Sequence, residues 1–157
     1  MGNKVIIYTD GAVSGNGKDN ACGGWAYMIR AEGADAVKFE YGNELNTTNN
    51  RMELTAVIRG LDAARAFYGK DVEIDVISDS AYVVNCYVNG WYLTWENNGW
   101  LTSKKEPVLN RDLWQVLIPY FRDKKVNFIK VKGHAGHKEN EEVDKLAKRG
   151  VLEAKKS

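Results

Sequence analysis

The sequence lacks the residues that staple or anchor a small protein. Cys22 and Cys86 are its two cysteines in 157 residues, too few for a disulfide framework. Cys22 falls in a strand-like stretch and Cys86 in a helix-like one, so both read as small buried thiols. Histidine is equally scarce. With His134 and His137 alone, and the cysteines in apolar segments, a zinc centre is not expected. No run of about eighteen apolar residues occurs, and no basic stretch followed by an apolar one opens the chain, which predicts a cytoplasmic protein without a membrane part. An excess of charge of one sign is missing too. A net charge of +1 excludes a strongly basic coat for nucleic acid, so any polyanion must be held by local patches.

What is present is the composition of a soluble globular chain, 44% hydrophobic and 27% charged. The length predicts one domain over 1–157 that buries a core without staples. Strands are expected at 3–10, at "WAYMIRA" (25–31) and at "AVKFEYGNEL" (36–45), the last alternating around Val37, Phe39 and Tyr41. The short link "EGAD" makes the second and third an antiparallel hairpin. A helix follows over 47–67, capped by Thr48 or Asn49, with Met52, Val57, Ile58, Leu61 and Ala64 at helical spacing and Gly69 after its end. A strand at 72–78 precedes a helical stretch at 80–97, with a break at Asn89-Gly90. After a loop comes a helix at 110–124, in which Pro119 predicts a kink or an early stop. The strand 126–132, a loop at 133–140 and a helix at 140–154 complete the pattern. This order implies an α/β fold with a mixed sheet. The crossover through the first helix makes strand four parallel to strand one. Parallel neighbours put their C-terminal ends on one sheet edge, where open α/β folds bind ligands.

Two of those ends carry carboxylates. "KVIIYTDGA" ends its apolar run on Asp10, and "VEIDVISDS" ends on Asp79. Either is by itself a turn or capping residue, but as neighbours they make a candidate site. Glu53 heads a stripe of Val57, Gly60 and Ala64 and so points toward the sheet; the plainer reading is a helix-start acid favoured by the dipole. Asp144 stands four residues before Lys148, the spacing of a solvated ion pair. Together these acids repel one another unless a cation cancels the charge, and all-oxygen ligands select hard cations, Mg²⁺ above all. His134, between Gly133 and Gly136, is a surface histidine or a proton carrier near neutral pH.

With "YTDGA", "TTNNRMELTA", "SDSAYV", "GW…K…P…DLW" and "KGHAGHKENEEVDKLA" in family order over nearly the whole chain, the sequence resembles the ribonuclease H family of the bacterial type 1 class. The resemblance implies the ribonuclease H-like mixed five-stranded sheet, three antiparallel strands and then two parallel, flanked by helices. It implies endonucleolytic hydrolysis of the RNA strand of an RNA–DNA hybrid by two-metal-ion catalysis, leaving 5′-phosphate and 3′-hydroxyl ends. Asp10, Glu53, Asp79 and Asp144 are then the ligands of two Mg²⁺ ions, with Mn²⁺ a possible substitute, and His134 assists proton movement or product release. Gly11, Asn16, Asn49 and Asn50 match positions near the RNA minor groove, Thr48 a holder of a DNA-strand phosphate and Trp91 a DNA contact. Trp95, one turn on, also reads as a packing residue. Where relatives often carry a basic cluster this chain has Glu96, Asn97 and Asn98, which weakens the expected grip on phosphates. A catalytically silent hybrid-binding module, or a related polynucleotidyl transferase of the same fold, is the competing reading. A monomer without an obligate protein partner is expected.

Overall fold

Apolar, β-branched stretches supply the strands, and their pairing sets where the carboxylates lie. The computed structural model describes residues 4–132 and 138–156. It places β1 at Lys4–Ser14, β2 at Cys22–Ala31, β3 at Val37–Leu45, α1 at Asn49–Tyr68, β4 at Glu73–Ser78, α2 at Ala81–Asn89, α3 at Trp91–Asn98, α4 at Arg111–Phe121, β5 at Val126–Lys130 and α5 at Lys138–Lys155. The strands form one five-stranded sheet in the order β3-β2-β1-β4-β5. β2 is antiparallel to both β1 and β3, and β4 is parallel to both β1 and β5. This is the mixed sheet expected from the order of elements.

Strand alternation sends successive residues to opposite faces. Val5 and Ile7 of β1 and Trp25, Tyr27 and Ile29 of β2 join the main core with α1, α2 and α4. Tyr8 and Ala12 of β1 and Ala26 and Met28 of β2 face Val143 and Ala147 of α5. Trp114 of α4 is fully buried in the main core. Its indole N–H donates to the Tyr82 hydroxyl at 3.1 Å, so the largest core side chain leaves no donor unpaired. Cys22 and Cys86 are free and buried, as expected. Among the described residues no helix is long and apolar enough to cross a membrane.

The structure departs from the sequence reading at several element ends. β1 does not stop at Asp10; it runs on to Ser14, because β2 pairs with it as far as Ser14 opposite Cys22. β2 correspondingly starts at Cys22 rather than Trp25. Gly23 and Gly24, which look like turn residues, are instead strand positions against which helices pack. The long helical stretch does break, at Gly90 in the left-handed conformation (φ 68°). Pro119 marks the early stop of α4, one of its two predicted effects. It sits in the last turn, and the helix ends at Phe121, three residues before the expected end. α5 begins at Lys138, two residues earlier than expected. Val37 and Phe39 are exposed on the edge strand β3.

The helices approach the sheet through glycines. A Cβ at Gly11 would lie 2.6 Å from the backbone nitrogen of Glu53, and one at Gly24 would lie 2.0 Å from the carbonyl oxygen of Ala147. On α5 itself, a Cβ at Gly150 would meet the Gly42 carbonyl oxygen at 2.3 Å. These contacts are backbone against backbone, so no rotamer change relieves them. Gly24→Ala is therefore expected to lower stability by roughly 1–3 kcal/mol or more. A urea unfolding curve checks this, and an unchanged midpoint would show that α5 can lift from β2 without cost.

Candidate active site

The site forms where β1 and β4 part. Their parallel ladder ends at Tyr8 opposite Ile77, and two residues further along each chain come Asp10 and Asp79. β1 continues, held on its other side by β2, while the chain after β4 turns into α2. The Ser80 hydroxyl caps α2 by accepting the Val83 N–H at 3.2 Å. Asp79 is thus relieved of the capping role that its sequence position allowed. Asp10 lies in mid-strand, not in a turn, and its Oδ1 accepts the Gly11 N–H at 2.9 Å.

Glu53 comes from the α1 side. Thr48 caps that helix by accepting the Arg51 N–H at 3.2 Å, and the first turn holds no acid. The dipole reading of Glu53 therefore fails, and the stripe reading holds. Glu53 is 5% exposed, and Val57, Gly60 and Ala64 behind it are buried. The absence of a side chain at Gly11 lets the Glu53 backbone lie against β1. As a result one carboxylate oxygen from each of Asp10, Glu53 and Asp79 lies within 4.8 Å of the others. At that separation two full charges repel by about 3–4 kcal/mol at an effective dielectric near 20.

The electrostatics record the crowding. Burial, the Asp79 charge and a hydrogen bond shared with Asp144 push the Asp10 carboxyl up to about 8. Burial and the charges of Asp10 and Asp79 raise Glu53 well above the ordinary carboxylate range. Asp144 is not one of the three acids gathered within 4.8 Å, but it lies close by. It pairs with Lys148 at 2.9 Å, and it lines a small cavity of about 20 Å³ together with Thr9, Asp10, Asp79, Lys132 and Asn140. The buried Oε1 of Glu53 has no hydrogen-bond partner among the described residues. An orphaned carboxylate oxygen beside two further carboxylates is a donor set suited to a hard cation, and all-oxygen ligation excludes softer metals as the preferred guest.

The remaining candidates surround the start of α1 and α3. The Asn16 Oδ1 accepts the Asn49 N–H at 3.1 Å, so the β1–β2 loop is tied to the helix start. Asn49 and Asn50 are exposed there, and Gly11 is packed against α1. Trp91 opens α3 and is 39% exposed, whereas Trp95 packs on Trp100 and Trp114 at ring distances of 5.7 and 5.5 Å. Glu96 is bound by the Arg122 guanidinium, which holds its carboxyl below the usual range. His134 lies outside the described residues. Sequence reasoning missed Lys132 and Asn140 as lining residues. Asn140 precedes Asp144 by one helical turn, and both fall within the helix expected over 140–154, so the spacing alone would have found it.

Comparison with known proteins agrees with this geometry. The RNase H family model matches residues 2–152. Ribonuclease H of Syntrophomonas wolfei subsp. wolfei is 47% identical over 148 residues, covering 94% of this chain and 96% of that one. Ribonuclease H of Marinobacter nauticus is 46% identical over 153 residues, covering 98% and 97%. Among solved structures, LC9-RNase H1, described as a type 1 RNase H with the type 2 active-site motif, superposes with a TM-score of 0.78 at 29% identity, covering 98% of this chain and 74% of that chain. LC11-RNase H1, solved in complex with an RNA/DNA hybrid, shares the fold with a TM-score of 0.68 at 24% identity, covering 96% and 98%. With its acids gathered at the sheet edge and its sequence matched almost end to end, the chain belongs to the ribonuclease H family.

Proposed function

We propose that the protein is an endoribonuclease that hydrolyses the RNA strand of RNA–DNA hybrids with the help of divalent cations, leaving 5′-phosphate and 3′-hydroxyl ends. The observation that carries this reading is the trio of Asp10, Glu53 and Asp79 within 4.8 Å, one buried oxygen of it unpartnered. Asp10, Glu53, Asp79 and Asp144 are the residues that would hold Mg²⁺, with Mn²⁺ as a substitute. Two such ions supply Lewis acidity toward the phosphodiester and lower the pKa of the attacking water. The protein's own part is to hold these carboxylates together against their repulsion, so that binding cations relieves strain already present. Asp10, which feels both Asp79 and Asp144, would be among the residues that hold the cations. His134 is assigned proton transfer or product release from its place in the sequence.

Selectivity for RNA needs groups that read the 2′-hydroxyl, which both donates and accepts. The amides of Asn16, Asn49 and Asn50 have that capacity, and the Asn16–Asn49 bond holds the loop beside the helix start. Close packing at Gly11 fixes the backbone next to Asp10. Thr48 and Trp91 are assigned to the DNA strand, at a phosphate and a sugar or base face respectively. A monomer in the cytoplasm is consistent with this reading.

Two outcomes follow. Cleavage of a 5′-labelled RNA strand annealed to DNA is expected with Mg²⁺, to stop with chelator, and to fall by more than ~100-fold in Asp10→Asn. Matched RNA–RNA, DNA–DNA and single-stranded RNA should stay intact; a folded protein that leaves the hybrid uncut with either Mg²⁺ or Mn²⁺ would overturn the enzymatic reading. The second outcome concerns pH. Without metal the folded protein keeps on Asp10 a proton that the unfolded chain loses above its ordinary value of 3.8. Stability without metal should therefore fall as pH rises from about 4 to about 8, by no more than about 1.4 kcal/mol per pH unit for each such group, and Glu53 acts in the same direction. Urea midpoints in chelator at pH 5.5 and 8 measure this. Asp10→Asn should raise the midpoint at pH 8, by roughly 1 kcal/mol or more.

A further inference from the structure

The cavity beside the carboxylates contains a polar group that neither the ion-pair pattern nor the metal-ligand set explains. The Nδ2 of Asn140 is buried and has no hydrogen-bond partner among the described residues. Asn140 lies in the first turn of α5, four residues before Asp144 and thus on the same face of the helix. Both residues line the cavity that Asp10 and Asp79 share. A buried amide donor left unpaired costs roughly 1–3 kcal/mol. Here it is unpaired although carboxylate oxygens, good acceptors, line the same small space. An acceptor that arrives from outside would satisfy it. Lys132, two residues beyond the end of β5, lines the same cavity and adds a cation to that rim. Glu141 also lines it and repels an anion, so an anionic acceptor enters together with cations.

We propose that Asn140 is a further substrate-contacting residue of this site, its side-chain amide donating a hydrogen bond to a non-bridging oxygen of the reacting phosphodiester. The proposal rests on the ribonuclease reading above and names one more contact of that same site. A phosphodiester is the one component of the expected substrate that brings a charged acceptor into a cavity of this size, and a hydrogen bond to a charged acceptor is stronger than one to a neutral group. The amide takes no part in bond making; it orients the phosphate, and the Asn140 donor is satisfied only when substrate is present.

The test is single-turnover cleavage of a labelled RNA–DNA hybrid by the full chain, with hybrid affinity measured separately in Ca²⁺. Asn140→Ala is expected to lower the cleavage rate roughly 10- to 100-fold while changing hybrid affinity by less than about 3-fold, with a melting temperature no lower than that of the parent. Asn140→Asp, which keeps the shape and replaces a donor with a charge, should lose more. The decisive reading uses hybrids with a single sulfur at either non-bridging position of the cleaved phosphate. Sulfur accepts hydrogen bonds poorly, so Asn140→Ala should shrink the penalty of one diastereomer and leave the other as it was. A parent-like rate in Asn140→Ala, or a slower rate with both sulfur penalties unchanged, would overturn the inference while the parent's cleavage of hybrid left the ribonuclease reading standing. A parent that does not cut the hybrid would remove both.

Discussion

The site depends on two helices lying nearer to the sheet than any side chain larger than hydrogen would allow. At Gly11 the backbone of α1 reaches β1, and at Gly24 the backbone of α5 reaches β2 from the opposite face. The first contact delivers Glu53 and the second delivers Asp144, each to Asp10, which alternation turns toward the α5 face of the sheet. A methyl group at either glycine moves a carboxylate by moving its helix. The small residues of this fold are therefore part of the geometry of the acids, although they carry no chemistry.

Holding those acids together is unfavourable without a cation, and the cost falls on the scaffold. Ile7, Trp114, Leu54, Ile74 and Leu117 are fully buried around α1 and β4, and burial of such side chains contributes about 1.5–3 kcal/mol each relative to exposure. Polar ties add direction. Arg51 reaches from α1 to Asn110 and, through both of its terminal nitrogens, to Asp112, at 3.0–3.2 Å. Asn110 in turn donates to Tyr82, the same hydroxyl that receives the Trp114 N–H. The start of α1, where the Asn-rich turn sits, is thus fixed to α2 and α4 through side chains that do not touch the acidic cluster.

Much of this was legible in the sequence, and the reasons are local. The runs Val5–Tyr8 and Ile74–Ile77 are apolar enough to announce adjacent buried strands, and the helix between them makes those strands parallel, so Asp10 and Asp79 fall side by side. Glu53 was legible because the residues a turn apart behind it are apolar or small. What stayed hidden depends on tertiary pairing. Gly11, Ala12 and Ser14 have no strand character of their own, and only the partner β2 keeps them extended. Gly23 and Gly24 resemble a turn because the signal for a turn and the signal for close helix packing are the same missing side chain. Asn140 was passed over because an amide one turn before an acid carries no charge to draw attention to it. For Asp144 the ion pair and the site were posed as rivals; the structure shows the pair with Lys148 and also puts Asp144 in the wall of the cavity beside Asp10 and Asp79.

The unequal support of β1 has a mechanical consequence. As far as Tyr8 the strand is a beam held by a ladder along both edges; beyond it, β2 alone supplies a ladder and the strand projects like a cantilever. Asp10 stands two residues out on that projection, with α1 pressed against it at Gly11. The spacing between Asp10 and Glu53 is thus stiff, set by backbone on backbone. The spacing between Asp10 and Asp79 crosses the gap where the ladder has ended, and can open or close without breaking a rung of the sheet. Of the dimensions of this acidic cluster, that one has the give.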